Sequence, residues 1–439
     1  MSKRKKTTQE SNIGAMIDRI ARSGIYALLI GMPFHAFFVV VLGFAFGSQL
    51  VFASWKEVII FGLAACALLK SFRDGWGWLY KPANWLVLTI AIFGMIGVMV
   101  TQRFDIAVLA GVKTTFLPLL LFVAVQPFAG QIRWRRLRAL VLVPASIVAL
   151  LAIVQFLIVP TTWLQAWGYS STTIAPYQGV FAGASLARSF ATLGGPNQLG
   201  AYLILPIVWS VALAVSATQR RHRLIAAGLS MSMILALATS FSRSALLGLI
   251  AGLVVLFGLF LPRIQQVWYA LAASLAAVLG VGQIRAMALQ DGSIIQRFFI
   301  RGEVTDKGMI VGSDEGHVFA WQNGLDIALR NPLGLGFGAS GPASKYGANY
   351  SITENWYVQI LLELGWLGIL AFALLFVELM RRWWLSNDRV SKVLLASSVG
   401  ILVANLFLHT YADSTLAIIS WTLFGLSYGA GCEREHDGA

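Results

Sequence analysis

Apolar runs of roughly 17–25 residues recur along almost the whole chain, each long enough to cross a hydrocarbon layer of about 30 Å as a helix. Divided at its polar, glycine and proline positions, the pattern predicts twelve spans, at 25–47, 55–70, 84–101, 105–127, 138–160, 196–217, 224–241, 244–262, 266–285, 354–379, 393–411 and 414–431. Two longer polar stretches interrupt them, at 161–195 and 286–353. Loops of that length inside a compact membrane protein usually carry function. Within the second, Asp314–Arg330 reads as an amphipathic helix, which Asn331-Pro-Leu-Gly-Leu-Gly-Phe-Gly338 then stops. Glycines there would let backbone approach a bulky ligand.

The predicted architecture is therefore an all-α polytopic membrane protein. A basic tail (1–24, with a short interfacial helix at 12–23) precedes nine membrane helices (25–285). A large loop containing short helices (286–353), three further helices (354–431) and a short tail (432–439) complete it.

Composition agrees with the pattern. The chain is 58% hydrophobic and 12% charged, against about 25% charged in soluble domains. Its formal charge of +14 is mostly a topology signal. Basic residues cluster in short connections such as Arg133/Arg135/Arg136/Arg138, Arg220/Arg221/Arg223 and Arg381/Arg382. By the positive-inside rule these are cytoplasmic, together with both termini. The basic N-terminus continues into polar sequence with no small-residue cleavage site, so it reads as an uncleaved tail. The expected setting is a bacterial inner membrane, with anionic lipid headgroups as partners of the basic face. Nucleic acid is excluded as a partner, because the clusters are loops beside membrane helices rather than a groove with stacking aromatics. Cys66 and Cys432 have neither a partner nor metal-ligand spacing, which argues against a disulfide or a cysteine-based metal site.

Eleven of the 33 basic residues fall on the opposite, outer side. Arg188 and Arg243 stand out among them. Arg188 leads into Gly195-Pro-Asn-Gln198, where the sixth span begins, and Arg243 sits in Thr239-Ser-Phe-Ser-Arg-Ser-Ala245, between two apolar runs with almost no loop. At bilayer depth an arginine costs roughly 2.5–3.5 kcal/mol on insertion scales, so it needs a partner. Guanidinium forks match phosphate oxygens, while snorkelling or pairing with an acid such as Glu354 is the structural alternative. Glu354-Asn355 lies where the long outer loop meets the tenth span, and a carboxylate at a membrane helix mouth usually has a job.

Other charges divide less sharply. Lys113, inside the fourth span, either closes an anionic pocket or pairs with Asp105. His35 reads as a core histidine, and Glu363 as a bond to another helix. His409 and Asp413 read as a hydrogen-bonded i,i+4 pair on one helix face. Trp321 and Trp356 could stack on sugar rings, with interface packing the alternative.

These motifs, in this order and on one membrane face, resemble the bacterial O-antigen ligase and polymerase superfamily. The resemblance rests on Arg188 with Gly195-Pro-Asn-Gln-Leu-Gly-Ala-Tyr-Leu203, on Thr239–Ala245, on Trp321 with the Asn331–Gly338 block, and on Glu354-Asn-Trp-Tyr357 with Glu363-Leu-Gly365. It implies a glycosyltransferase that takes a glycan from undecaprenyl diphosphate at the periplasmic face. Ligases pass the glycan to lipid A-core; polymerases pass it to the next lipid-linked repeat unit of an O-antigen or exopolysaccharide.

Carried over, Arg188 and Arg243 would hold the diphosphate. Asn197, Lys113, His317, Trp321, Asn355 and Trp356 are the further expected substrate contacts. The family's ligases usually place a histidine directly before the asparagine, where this chain has Glu354, and an arginine where His317 stands. Both departures fit the polymerase branch, which also implies a chain-length regulator as partner.

The expected chemistry needs no cofactor. Fixed guanidinium groups stabilise the departing diphosphate. A carboxylate within about 3 Å takes the acceptor hydroxyl's proton. One base and one displacement invert the anomeric centre, unlike a retaining glycosidase's carboxylate pair. Glu354 is the expected base. Ligation of glycan to lipid A-core or to a periplasmic protein is the alternative, and a lipid-linked oligosaccharide flippase is the rival of another class. A flippase should carry charge in the middle of several spans, whereas intramembrane charge here is largely confined to Lys113, Glu363 and the outer ends.

Overall fold

The computed structural model describes residues 2–179, 187–262, 302–304, 310–347, 353–386 and 388–430, with Gln265 and Tyr269; side chains of 2–11, Thr161 and 302–318 lie outside the description. Eleven of the twelve expected spans coincide with helices: α1 (Ser2–Gly31) with α2 (His35–Phe46), α3 (Trp55–Asp74), α4 (Pro82–Thr101), α5 (Ile106–Gly111) with α6 (Leu117–Val125), α7 (Trp134–Leu157), α8 (Pro196–Ser216), α9 (Arg220–Ser240), α10 (Arg243–Phe260), then, after the loop helix α11 (Ser313–Arg330), α12 (Trp356–Leu385), α13 (Arg389–Ala404) and α14 (Ser414–Gly429). The ninth span, 266–285, falls outside the described residues apart from Tyr269. Among the described residues, eight helices are long and apolar enough to cross a membrane. The other three are α3, which carries charge at both ends, and α13 and α14, each of 16 residues.

Two expectations change and a third is extended. The interfacial helix placed at 12–23 is not separate: α1 runs without a break to Gly31, and the chain turns at Met32–Phe34, where Pro33 removes a helical donor, before α2. The long loop, expected to contain short helices, also holds a short antiparallel hairpin, Gly302–Val304 with Ile310–Gly312, ahead of α11. The eleventh span ends at Ala404 rather than 411, because the Asn405 side chain accepts from the Thr410 amide and hydroxyl and closes a compact turn.

Large apolar side chains fill the core, and small residues let some helices approach backbone to backbone, as expected where lipid competes for apolar surface. The Gly248/Gly252 face of α10 lies directly on the Ala396/Gly400/Ala404 face of α13, backbone against backbone. Helix α8 is the most completely buried of the eight candidate spans, and its Ser210 hydroxyl accepts from Ser230 of α9 at 2.8 Å.

The glycine-rich segment approaches other protein backbone closely. It runs back into the bundle and packs on three helices: Phe337 against Gly94 and Gly336 against Gly97 of α4, Gly338 against Ala107 and Gly111 of α5, and Gly334 against Gly365. Gly338 has φ 74 and Gly365 has φ 68, left-handed backbone that L side chains rarely adopt. Gly365 also breaks the regular geometry inside α12, and the exposed carbonyls of Leu362 and Glu363 accept from the Leu335 and Gly336 amides at 2.7 and 2.9 Å. Irregular backbone at this depth is tolerated because its polar groups are satisfied by protein. Arg103 fastens the same segment, donating to the carbonyls of Gly338 at 3.3 Å and Leu335 at 3.5 Å.

Candidate functional site

A cavity of about 780 Å³ opens between the ends of these helices. It is lined from the starts of α3, α8, α10 and α14, the junctions before α12 and α14, and a turn between α5 and α6. In the topology expected from the charge pattern, all of these ends fall on one side of the membrane. Arg188, Asn197, Arg243, Lys113 and Glu354, five of the expected site residues, line this cavity together. They are spread over 241 positions of sequence, from Lys113 to Glu354, so their meeting is a tertiary fact.

One wall is built at the α9–α10 junction. Phe241 takes left-handed backbone (φ 50), so α9 ends at Ser240 and α10 begins at Arg243 with only two residues between. The strand-like segment around Arg188 docks here, the Ser189 amide donating to the Thr239 carbonyl at 3.0 Å. Arg188 is anchored here: its Nε donates to the Ser240 carbonyl at 2.8 Å and an Nη to the Asn197 side-chain oxygen at 2.7 Å. Asn197 therefore acts on the cavity through Arg188, from the first turn of α8. Arg243 lines the cavity from the first turn of α10, beside Ser244.

Glu354 stands at the mouth of α12, exposed, on left-handed backbone (φ 49). Such a conformation costs a non-glycine residue about 1–2 kcal/mol and, when retained, is often tied to function. Its neighbours hold it there. The Thr353 hydroxyl donates to the Asn355 carbonyl at 3.1 Å. The Asn355 side chain caps α12 by accepting from the Tyr357 and Val358 amides, and it donates to the Leu406 carbonyl.

The other wall comes from α3 and the α5–α6 turn. Val112–Phe116 form a π-helical turn, a widened geometry frequent at functional sites. Lys113 projects from it and meets Glu57 at 2.7 Å. The alternative pairing with Asp105 is not made: Asp105 caps α5 by accepting from the Val108 amide and faces Arg103 at 3.5 Å. Glu57 also meets Lys56 at 3.2 Å, and the Lys56 ammonium reaches His35 Nε2 at 3.0 Å while Trp55 donates to His35 Nδ1. His35 is thus buried with a polar group facing each ring nitrogen.

The His409–Asp413 pair differs from expectation. Neither residue lies inside a helix: His409 precedes a short turn at Thr410–Ala412, and Asp413 caps α14 by accepting from the Thr415 and Leu416 amides. Both line the cavity. Burial pushes the Asp413 carboxyl above its usual range, against the pull of those two amides. Counting Lys56, the lining holds four lysines and arginines against Glu354 and Asp413.

Three expected contacts lie elsewhere. Trp356 is buried, edge-on to Phe372 and Tyr411 at 5.3 Å each, so it packs the core behind the site. Asn355 is the helix cap just described. Trp321 stacks on Phe407, which does line the cavity, at 5.7 Å. His317 is on α11, and its side chain lies outside the described residues. Sequence reading passed over Glu57. Two adjacent charges opening an otherwise apolar span were the available signal, since ionisable groups at that depth need partners.

Residues 227–373 match the model of a protein family described as O-antigen ligase. No curated protein and no solved structure matches the chain. The matched stretch runs from α9 into α12 and takes in Arg243, the glycine-rich segment, Glu354 and Glu363; Arg188, Asn197 and Lys113 lie outside it. It supports the O-antigen ligase and polymerase superfamily, and with it membrane-embedded processing of lipid-linked glycans.

Proposed function

We propose that this chain, a multi-pass membrane protein whose 227–373 segment matches the O-antigen ligase family, transfers glycan from an undecaprenyl-diphosphate carrier to an acceptor hydroxyl at the periplasmic face. The observation that carries the reading is the single cavity into which Arg188, Arg243 and Glu354 all open. Arg188 and Arg243 bind the diphosphate. The Ser240 carbonyl and the Asn197 amide oxygen help hold Arg188 in place. Prefixed cations of this kind stabilise charge developing on a leaving group without reorganising during the reaction.

Glu354 accepts the proton of the attacking hydroxyl. Attack from the face opposite the diphosphate, with this one base, inverts the anomeric carbon. Electron flow is closed by the chain and its substrates: the hydroxyl oxygen forms the new glycosidic bond, the bond between the anomeric carbon and the phosphate oxygen breaks, and undecaprenyl diphosphate leaves with the electron pair. The acceptor in this reading is the next lipid-linked repeat unit, so the product is a growing polymer.

A second reading, ligation to lipid A-core, is favoured by the description of the matched family. Purified protein supplied with undecaprenyl-diphosphate oligosaccharide alone distinguishes the two. A ladder of lengthening lipid-linked products supports polymerisation, whereas turnover that appears only on adding lipid A-core supports ligation. Glu354→Gln should abolish either product while retaining donor binding. Normal product from that variant would remove Glu354 from the chemistry.

A further inference from the structure

Glu363 is buried completely in α12, two residues before the Gly365 break, and the glycan-transfer chemistry makes no use of it. A carboxyl group at such depth is costly unless its hydrogen bonds are satisfied, and in a membrane segment it marks function by default. Three segments converge on it. Its Oε2 accepts from the Thr115 hydroxyl at 2.8 Å; its Oε1 accepts from the Gly338 amide at 3.3 Å and from the Gln359 side-chain nitrogen at 3.3 Å.

Thr115 belongs to the π-helical turn Val112–Phe116, whose Lys113 and Thr114 line the cavity. One side of that turn therefore faces the cavity and Glu57, while Thr115 is tied to Glu363 behind it. Gly338 closes the inward-folded glycine segment, which Arg103 fastens from the other side. The fold thus contains one buried group that joins the kinked helix, the glycine segment and the back of the cavity wall.

We propose that Glu363 is a positioning residue: through Thr115 it sets the π-helical turn, and so fixes where Lys113 presents its ammonium in the cavity. The structural claim stands on these bonds alone; its consequence for ligand binding rests on the glycan-transfer reading above. Lys113 in turn is restrained by Glu57, so the turn is held at both ends, by one carboxylate at the cavity and one in the core.

The test uses Thr115→Val, which keeps side-chain volume and cuts only the bond to Glu363. The full chain is prepared in lipid nanodiscs with Cys66→Ser and Cys432→Ser, and Lys113→Cys reports the turn through its rate of modification by a charged, membrane-impermeant thiol reagent. Adding Thr115→Val should change that rate roughly five- to tenfold, the scale of one buried hydrogen bond, and Thr115→Ser should restore it. An unchanged rate in Thr115→Val overturns the proposal, as does failure of the serine variant to restore it.

A second arm measures binding of undecaprenyl diphosphate. Thr115→Val should weaken it several-fold in the chain bearing Lys113 and have no further effect in Lys113→Ala, the non-additivity expected of residues acting as one unit. Equal losses in both backgrounds overturn the proposal. If the unaltered chain binds no undecaprenyl diphosphate, the functional reading falls, and the thiol measurement still decides this one.

Discussion

The two basic walls of the cavity are built by opposite means. At the α9–α10 junction, Arg188 is fixed by neutral acceptors, the Ser240 carbonyl and the Asn197 amide oxygen. On the α3 side, Lys56 and Lys113 share the carboxylate of Glu57, and Lys56 is also close enough to Asp413 to interact with its charge. The first arrangement orients a guanidinium through oxygen acceptors from two neighbouring segments; the second braces two ammonium groups on one carboxylate. A wall of the first kind suits recognition of a dianionic group. One of the second kind sets where an ammonium is presented. Arginine on one side and lysine on the other fits this division, because a guanidinium offers several fixed donors and an ammonium a single movable point charge.

The comparison breaks first at Arg243. Arg243→Lys keeps the charge and loses the fork, and turnover should fall roughly 100-fold, the scale of removing one oriented donor from a developing anion. Full activity would show that charge alone suffices and that the two walls are alike. Next is Glu57→Gln, which leaves two lysines facing each other beside His35. Because the group is mostly buried, about 1–3 kcal/mol of stability should be lost, read as a lower thermal midpoint in detergent. Donor affinity should shift as well, because Glu57 restrains the Lys113 ammonium at the cavity. Asn197→Ala removes one acceptor from Arg188 and should weaken donor binding roughly tenfold, with Asn197→Asp recovering most of it.

The smallest effect concerns pH. Burial raises the Asp413 carboxyl, so the folded state favours its protonated form. This contribution to stability is complete below the ordinary carboxylate range, near about pH 4, and is lost as pH rises through the higher folded value. Asp413→Asn keeps an amide-accepting cap on α14 and should flatten that slope in thermal unfolding measured across mildly acidic pH.

Much of the molecule was legible before its structure. Helix periodicity and length place eleven spans, because in a membrane each helix must satisfy its own backbone and each must be apolar for about the same length. The amphipathic run at 314–330 is a helix within one residue of expectation. Arg188, Arg243 and Glu354 drew attention because a charge at a helix junction is costly wherever it lies. Less legible were the residues whose meaning depends on a distant partner. Lys113 was as compatible with nearby Asp105 as with a pocket, and its actual partner, Glu57, lies 56 positions away. His409 and Asp413 have α-helical spacing but only a short 3-10 turn, Thr410–Ala412, between them, since Asn405 ends α13 early.

The glycine segment misled for a related reason. A glycine permits close approach without naming what approaches, and here helix backbone lies against several of these glycines. Trp356 shows the same ambiguity in an aromatic: a ring beside a site residue stacks on core rings as readily as on a sugar.

The sequence by itself determined the membrane class, the spans and the cost of each displaced charge, because these follow from local composition and the energy of burying polar groups. Only the tertiary structure decided which charges share a cavity and which are braced or neutralised, because those energies depend on distances between segments far apart in the chain.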